Sequence, residues 1–292
     1  AIVEDFVTMR VFFYGFILFS ILTLIVGLAT AGYAPQNVAR SQLMGLLSAF
    51  TVLPLFFAVP FYEAVGDTSY LNAWFEMVSS FTTTGATVYD NFGRLTASQH
   101  LWRALVGWLG GLLIWVTAVS IFAPMNLGGF EVRATTTIGK GAAVGLSQIT
   151  RIADPSERLV RYTLSLAPLY TSLTFLLWLG LVVTGEAPYV ALCHAMSTLS
   201  TSGISPINGL YYAAPGFWGE LLIFGFFIFA LSRLTFSRGL LGERDQGLRK
   251  DPEFRTALVL IGLVTAGLFL RHFLAAADRQ SIVTLQQTAA AL

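Results

Sequence analysis

Long runs of apolar residues constrain this chain more than any other feature of its sequence. A helix needs about 20 mostly apolar residues to cross a bilayer, and a soluble domain carries about 25% charged residues. Here 11% of the residues are charged and 55% are hydrophobic. Six stretches resemble spanning helices, the last less strongly: Val11–Gly32, Leu43–Val65, Leu101–Pro124, Leu159–Thr184, Phe217–Ser237 and Thr256–Leu274. We therefore expect an all-α integral membrane protein with several crossings.

Composition also argues against several classes of function. The net charge of +1 gives no reason to expect a nucleic-acid partner. A membrane enzyme needs His, Asp, Glu or Cys at catalytic or metal-binding spacing, and a proton-coupled transporter of small solutes needs ionisable residues within its spanning helices. The first pattern is absent from the sequence and the second is almost absent. We therefore expect neither an enzyme nor a cofactor.

Two apolar segments are too short to cross a bilayer, Tyr70–Phe81 and Pro188–Leu199. A helix of about 12 residues rises only about 18 Å, and segments of that length are often re-entrant. The polar run ending at Ser69 can cap the first helix, and Pro188 suits the first turn of the second. Both segments are followed by small polar residues and glycine, so we expect two re-entrant helices that end in loops.

Basic residues are unevenly distributed between the apolar segments. The linkers after the third and fifth spanning stretches are rich in Arg and Lys, whereas residues 185–220 contain neither. By the positive-inside rule the two basic linkers lie in the cytoplasm. Both short segments then lie on the outer side of the membrane.

The two short segments belong to an internal repeat. The sequence AWFEMVSSFTTTGAT (Ala73–Thr87) aligns without gaps with ALCHAMSTLSTSGIS (Ala191–Ser205), at a constant offset of 118 residues. Hydroxyl residues align with hydroxyl residues, and Gly85 aligns with Gly203. The predicted unit is therefore a helix, a re-entrant pore helix, a hydroxyl-glycine filter loop and another helix. Repeats of this kind are typical of membrane transport proteins.

The loop after each short helix has the chemistry of a cation site. Irregular backbone at membrane depth lines water or is buried in protein, and its carbonyl oxygens can replace the hydration shell of an ion. Glycine permits positive φ, and the preceding helix ends with partial negative charge. We predict that the backbones and hydroxyls of two sets of residues bind the ion: Thr82, Thr83, Thr84 and Gly85, and Ser200, Thr201, Ser202 and Gly203.

Other residues around the loops have predicted supporting roles. Glu76 lies in the first short helix, where a carboxylate is costly and usually functional. We expect it either to add negative potential near the outer mouth or to be held by backbone amides behind the loop. His194 is its counterpart in the second repeat, and we expect a packed, hydrogen-bonded histidine. Gly107 and Gly111 form a small-xxx-small pattern, which predicts close packing against the short helix.

Two motifs carry a resemblance to a known family. FEMVSSFTTTGAT with WLGGLLIWVTAVSIFAP downstream, and then ALCHAMSTLSTSGISPI, resemble the first two pore repeats of the TrkH/KtrB/HKT superfamily of potassium transporters and channels. The extra first helix resembles the TrkH branch. The resemblance implies four repeats around one pore within each chain, with potassium as the substrate. It implies filter roles for Thr83, Thr84 and Gly85 and for Thr201, Ser202 and Gly203, with potassium at the Thr and Ser residues.

The resemblance also implies partners and a location. It implies a homodimer, a cytosolic nucleotide-binding subunit of the TrkA type and a multi-pass position in the bacterial inner membrane. The stretch ATTTIGKGA (Ala134–Ala142) contains three threonines, but no apolar helix precedes it in its basic linker. We therefore interpret it as linker and as a contact for the regulatory subunit.

Five segments follow from this interpretation. Residues 1–40 hold the extra helix, 41–125 the first pore repeat, 126–156 a cytoplasmic linker, 157–239 the second pore repeat, and 240–292 a linker and the start of a third repeat. No third hydroxyl-glycine loop follows. Two of four loops cannot enclose an ion alone. Either the sequence is part of a longer protein, which we favour, or two copies pair to form a pore.

Potassium uptake is the function that these features favour. One alternative is a non-conducting or regulatory membrane subunit, which the missing loops leave open. Another is a sodium-selective protein, since some relatives that favour sodium have serine at the first filter glycine. Gly85 favours potassium.

Overall fold

The computed structural model describes residues 6–30, 32, 37–122, 155–207, 209, 213–231 and 255–271. Every regular element in this part of the chain is a helix, which confirms the all-α prediction for it. The chain divides into two compact units, residues 1–230 and 231–292. In the second unit, residues 255–271 form a helix that overlaps the sixth predicted stretch.

The first unit contains seven α-helices among its described residues, named α1 to α7 in chain order. They are α1 (Phe6–Thr30), α2 (Val38–Val65), α3 (Tyr70–Phe81), α4 (Ala97–Thr117), α5 (Pro155–Val183), α6 (Pro188–Ser200) and α7 (Gly216–Leu231). A π-helical turn, Ala118–Phe122, continues α4. The helices α1, α2, α4 and α5 are long and apolar enough to cross a membrane, which confirms the first four predicted spans.

The spanning helices differ in how much protein surrounds them. Only 6% of the apolar span of α1 is buried, whereas 56% of the span of α4 is buried. The helix α4 packs against α2, α3, α5 and α6, while α1 packs against α2. Large apolar side chains on α1, such as Phe13 and Leu24, are exposed and suited to contact with lipid. The centre of this unit is therefore α4, and the short helices lie against it.

The short helices begin and end close to their predicted positions. Ser69 Oγ accepts a hydrogen bond from the Asn72 amide at 3.2 Å, which makes Ser69 the cap of α3. Pro188 is the first residue of α6. The helix α3 ends at Phe81 as predicted, and α6 ends at Ser200, one residue later than predicted. A left-handed residue follows closely in each case and prevents the helix from continuing.

Some predictions lie outside the described residues. They concern most of the cytoplasmic linker 126–156 with its Ala134–Ala142 stretch, and the end of the fifth spanning stretch at Ser237. They also concern residues 240–254 and 272–292. The five segment boundaries and the membrane orientation remain predictions.

Candidate functional site

The loops that follow α3 and α6 lie next to each other. An ideal Cβ built on Gly85 would overlap the carbonyl oxygen of Ser202, so the two backbones are in close contact there. No side chain other than hydrogen fits at position 85 without movement of the second loop. The structure thus brings together the two sets of predicted filter residues, which are about 118 residues apart in sequence.

In both loops, every second residue has a left-handed backbone conformation. Thr83 and Gly85 have φ of 57° and 73°, and their repeat counterparts Thr201 and Gly203 have φ of 56° and 68°. Left-handed backbone is uncommon for a β-branched residue and costs on the order of 1–3 kcal/mol. The same strain occurs at the same position of both repeats, and such strain is concentrated at functional sites.

The amides of the first loop turn back toward α3. The amide of Thr83 donates to Ser80 O at 2.9 Å, and the amides of Thr84 and Gly85 donate to Ser79 O at 2.9 and 3.2 Å. In a trans peptide the carbonyl lies opposite the amide hydrogen. The carbonyls of residues 82–84 therefore point away from the helix, and no donor among the described residues contacts them.

The second loop repeats this arrangement. The amide of Thr201 donates to Thr198 O at 3.2 Å, and the amide of Ser202 donates to Ser197 O at 3.0 Å. The carbonyls of Ser200 and Thr201 accordingly point away from α6. Free carbonyls at the negative ends of two helices form an environment that favours a cation.

The same contact between two hydroxyl groups occurs in both loops. Thr82 Oγ1 and Thr84 Oγ1 are 2.8 Å apart, and the equivalent Ser200 Oγ and Ser202 Oγ are 3.0 Å apart. Thr82 Oγ1 also donates to a carbonyl of α3, and Ser200 Oγ to a carbonyl of α6, both at 2.8 Å. These contacts hold the hydroxyls against their own helices. That the hydroxyls also bind the ion stays a prediction.

Glu76 supports the first loop through three contacts. Its Oε1 accepts hydrogen bonds from Thr87 Oγ1 and from the Val88 amide, each at 2.7 Å. Its Oε2 lies 2.8 Å from Nε of Arg103 on α4. Glu76 is 0% exposed and Arg103 is 5% exposed, so this is a buried ion pair.

Arg103 is a supporting residue that the sequence analysis missed. It lies inside the predicted third spanning stretch, and a lone charge in a spanning helix is the signal that could have identified it. The statement that spanning helices hold almost no ionisable residues is wrong for α4, because His100 is also buried there. Both residues have partners in the protein: Arg103 pairs with Glu76, and His100 Nε2 contacts Phe92 O.

The second repeat has an equivalent contact between its short helix and its loop. His194 Nε2 lies 2.9 Å from Ser205 Oγ, and these two residues align with Glu76 and Thr87. His194 is 3% exposed, which confirms the prediction of a packed, hydrogen-bonded histidine. Its Nδ1 lies 4.0 Å from Oε2 of Glu186, a buried acid that the sequence analysis did not identify.

Three glycines of α4 allow both short helices to approach. A Cβ at Gly110 would overlap Phe81 O at the end of α3. A Cβ at Gly111 would lie 2.8 Å from Ser200 Cβ on α6, and one at Gly107 would lie 3.2 Å from a carbonyl of α3. The predicted close packing at Gly107 and Gly111 is confirmed. Gly110 was missed, although its contact is the tightest of the three.

The outer part of the first loop contains a second, exposed charge pair. Arg94 Nη2 lies 3.3 Å from Asp67 Oδ1, and its guanidinium lies 5.1 Å from the centre of the Tyr89 ring. Burial is the main cause that raises the pKa of Tyr89, so its phenol stays neutral at physiological pH. Its hydroxyl contacts Thr68 Oγ1 at 3.1 Å. These contacts fix the residues that connect the first loop to α4.

This chain is similar in sequence to known proteins. The family model for TrkH, described as a cation transport protein, matches residues 7–278. The Trk system potassium uptake protein TrkH of Halomonas elongata is 30% identical over 258 residues, which cover 83% of this chain and 50% of the relative. The corresponding TrkH of Vibrio parahaemolyticus is 29% identical over 243 residues, covering 80% of this chain and 48% of the relative.

A solved structure resembles the same part of the chain. The crystal structure of the potassium transporter TrkH from Vibrio parahaemolyticus superposes with a TM-score of 0.64 at 24% identity, and covers 90% of this chain and 59% of that one. At this identity the likeness supports the fold. The chain spans about half the length of the curated relatives that it matches.

Proposed function

This chain belongs to the TrkH family of cation transport proteins and is a multi-pass membrane protein, and we propose that it translocates potassium. In this proposal the two described loops form two adjacent sides of a selectivity filter. The potassium ion loses its water to the carbonyl oxygens of residues 82–84 and 200–201. The names of the relatives describe potassium uptake proteins rather than enzymes.

One observation carries the proposal. In both loops the amides turn back onto the preceding short helix, which leaves consecutive carbonyls facing the opposite side. Consecutive outward carbonyls without donors are costly at membrane depth unless water or an ion meets them. Their partial charges attract a cation without a full charge that would trap it, so the ion can also leave. The membrane potential supplies about 2.3 kcal/mol per 100 mV for each potassium ion.

Potassium is favoured over sodium because the resemblance associates glycine at position 85 with potassium, and the structure shows what a larger residue there would disturb. A serine at this position would place its Cβ against Ser202 O and force the two loops apart. Gly203 has no atom within 4 Å of an ideal Cβ, so a serine there changes only the backbone conformation. Selectivity is therefore expected to be more sensitive at Gly85 than at Gly203.

The proposal also includes the parts of the pore and the partners that lie outside these two loops. Two loops can surround only part of an ion, and the resemblance to the family implies two further filter loops. We place the protein in a bacterial inner membrane as a homodimer that binds a cytosolic TrkA-type subunit through its basic linkers. A non-conducting subunit is the competing function, and the experiment below separates the two.

The test uses potassium-dependent growth of uptake-deficient cells that express the complete reading frame containing these residues. Gly85→Ser and Gly203→Ser are compared with Gly45→Ser, a matched control in α2 whose ideal Cβ meets no atom within 4 Å. We expect growth at low potassium with wild type and control, a strong loss or a shift toward sodium with Gly85→Ser, and a smaller loss with Gly203→Ser. Failure of a well-expressed, membrane-inserted wild type to restore growth would refute uptake and favour the non-conducting subunit.

A further inference from the structure

The two repeats support their loops with charge pairs of opposite polarity. In the first repeat the acid, Glu76, lies on the short helix and the base, Arg103, comes from α4. In the second repeat the base, His194, lies on the short helix at the position equivalent to Glu76, and the acid, Glu186, lies in the turn before it. An arginine is always charged, whereas an imidazole can exist with or without its second proton. The repeats therefore differ in whether their supporting pair can gain or lose a proton.

The two pairs also differ in how well they are satisfied. Glu76 Oε1 accepts two hydrogen bonds, and Oε2 lies 2.8 Å from Arg103 Nε, at ion-pair distance although these two atoms lack hydrogen-bond geometry. Glu186 Oε2 and His194 Nδ1 have no hydrogen-bond partner in the described chain, and they lie 4.0 Å apart, beyond hydrogen-bond distance. Both residues are at least nine-tenths buried, with exposures of 5% and 3%. Buried polar atoms without partners are rare and require an explanation.

Neither tautomer of neutral His194 both gives Nδ1 a hydrogen-bond partner and compensates the buried charge of Glu186. If Nε2 donates to Ser205, then Nδ1 carries a lone pair that faces the carboxylate, and two acceptors oppose each other. If Nδ1 carries the hydrogen, it can donate to Glu186, but the buried negative charge still has no cation paired with it among the described residues. One added proton removes both difficulties, because it yields either an imidazolium paired with a carboxylate or a neutral carboxyl that donates to Nδ1.

We propose that Glu186 and His194 form a binding site for one proton beside the second filter loop. The proton enters from solution, is held between Glu186 Oε2 and His194 Nδ1, and leaves by the same route. Closing the pair to hydrogen-bond distance requires a movement of about 1 Å. Because His194 Nε2 contacts Ser205 just beyond the loop, that movement changes the support of the second loop.

A narrow pocket lies beside the pair, and few groups near it compete for the proton. A cavity beside the pair is lined by residues of α5, α6 and α7, including Leu181, Pro215 and Glu220. Glu220 is exposed and is the other acid in its lining. On the packed helices, the Tyr189 hydroxyl donates to Ala97 O and the Tyr170 hydroxyl to Trp108 O.

The other titratable groups near α6 have partners or lie on its own helix. On α4, Arg103 pairs with Glu76, and His100 Nε2 contacts Phe92 O. Cys193 is the buried neighbour of His194 on α6. An alkali metal ion is a poorer occupant than a proton, since such ions take several oxygen ligands. No group of three or more His, Cys, Asp or Glu occurs in the described chain.

The proton site is tested on the purified full-length protein by infrared difference spectroscopy during a pH titration. We expect a protonated-carboxyl band in wild type that disappears in Glu186→Gln and persists in Glu220→Gln, the matched control at the cavity rim. His194→Gln, whose amide can still reach Ser205, should shift the titration of the band. Glu186→Gln mimics the protonated acid and retains its shape, so we expect it to fold.

Two results would overturn the proton site. One is an unchanged band in Glu186→Gln. The other is a Glu186 carboxylate that stays ionised throughout the titration and whose band shifts with sodium instead.

Coupling of the site to the filter rests on the proposed function and is tested separately. We expect the pH dependence of rubidium uptake by wild type to lose one inflection in Glu186→Gln and to keep it in Glu220→Gln. A wild type without rubidium uptake contradicts the proposed function, and the infrared result still decides the proton site. An infrared band that depends on Glu186, together with an unchanged uptake profile, overturns the coupling.

Discussion

Replacing Arg103 by glutamine tests how the first loop is supported. The change removes the guanidinium 2.8 Å from a fully buried carboxylate. Breaking a buried ion pair from one side costs about 3–5 kcal/mol, because an uncompensated charge remains inside the protein. For a protein of this size that loss lowers the unfolding temperature on the order of 10 °C. The measurement is thermal unfolding of the purified protein in detergent, followed by tryptophan fluorescence.

A second variant separates lost charge compensation from lost packing. In Arg103→Gln combined with Glu76→Gln the buried charge is gone, while the glutamine at position 76 can still accept from Thr87 and Val88. We expect the double variant to be more stable than Arg103→Gln alone, because neutral replacements of buried pairs are well tolerated.

The exposed pair between Arg94 and Asp67 provides the control. Its side chains are 45% and 76% exposed, and exposed pairs contribute about 0–1 kcal/mol. Arg94→Gln should therefore lower the unfolding temperature much less than Arg103→Gln. Equal losses for these two single variants, or a double variant no more stable than Arg103→Gln, would show that buried charge compensation is not what stabilises the loop.

Three further substitutions test the packing of the site. Gly110→Ala should lose about 1–3 kcal/mol of stability by overpacking. Its control, Gly45→Ala, should be neutral or stabilising, because no atom lies within 4 Å of an ideal Cβ at Gly45. Equal stabilities of the two variants would contradict the contact between Gly110 and Phe81. Gly85→Ala should impair potassium-dependent growth more than Gly203→Ala, because only the first introduces a clash; the reverse order would refute the loop contact. Tyr189→Phe removes a 2.7 Å hydrogen bond and should cost about 1 kcal/mol in thermal unfolding; no change would show that this bond contributes nothing.

The loops and short helices could be predicted because their signals are local. A capping serine, a proline in a first turn, and a hydroxyl-glycine sequence each act within a few residues, and the repeat supplied a second copy of the pattern. The end of α3 at Phe81 follows from these signals. The positive φ of Thr83 follows less directly, since a threonine seldom adopts it.

The residues that were missed depend on contacts between distant parts of the chain. Arg103 meets Glu76 only because α4 packs against α3. Gly110 lies outside the four-residue spacing of a small-residue pattern, yet the crossing of α3 places the end of that helix over it. Glu186 is the exception, since it is close to His194 in sequence, and its approach depends on the conformation of the turn between α5 and α6. No local pattern contains this information.

The glycine face of α4 has a consequence for how the protein is made. Gly110 packs against α3, which the ribosome has already produced. Gly111 packs against Ser200, which follows Gly111 by 89 residues (200 − 111). At about 5–20 residues per second, synthesis needs roughly 4–18 s to reach that residue. During biosynthesis α4 thus gains its two packing partners one after the other, and its contact with α6 cannot form until that helix has been made.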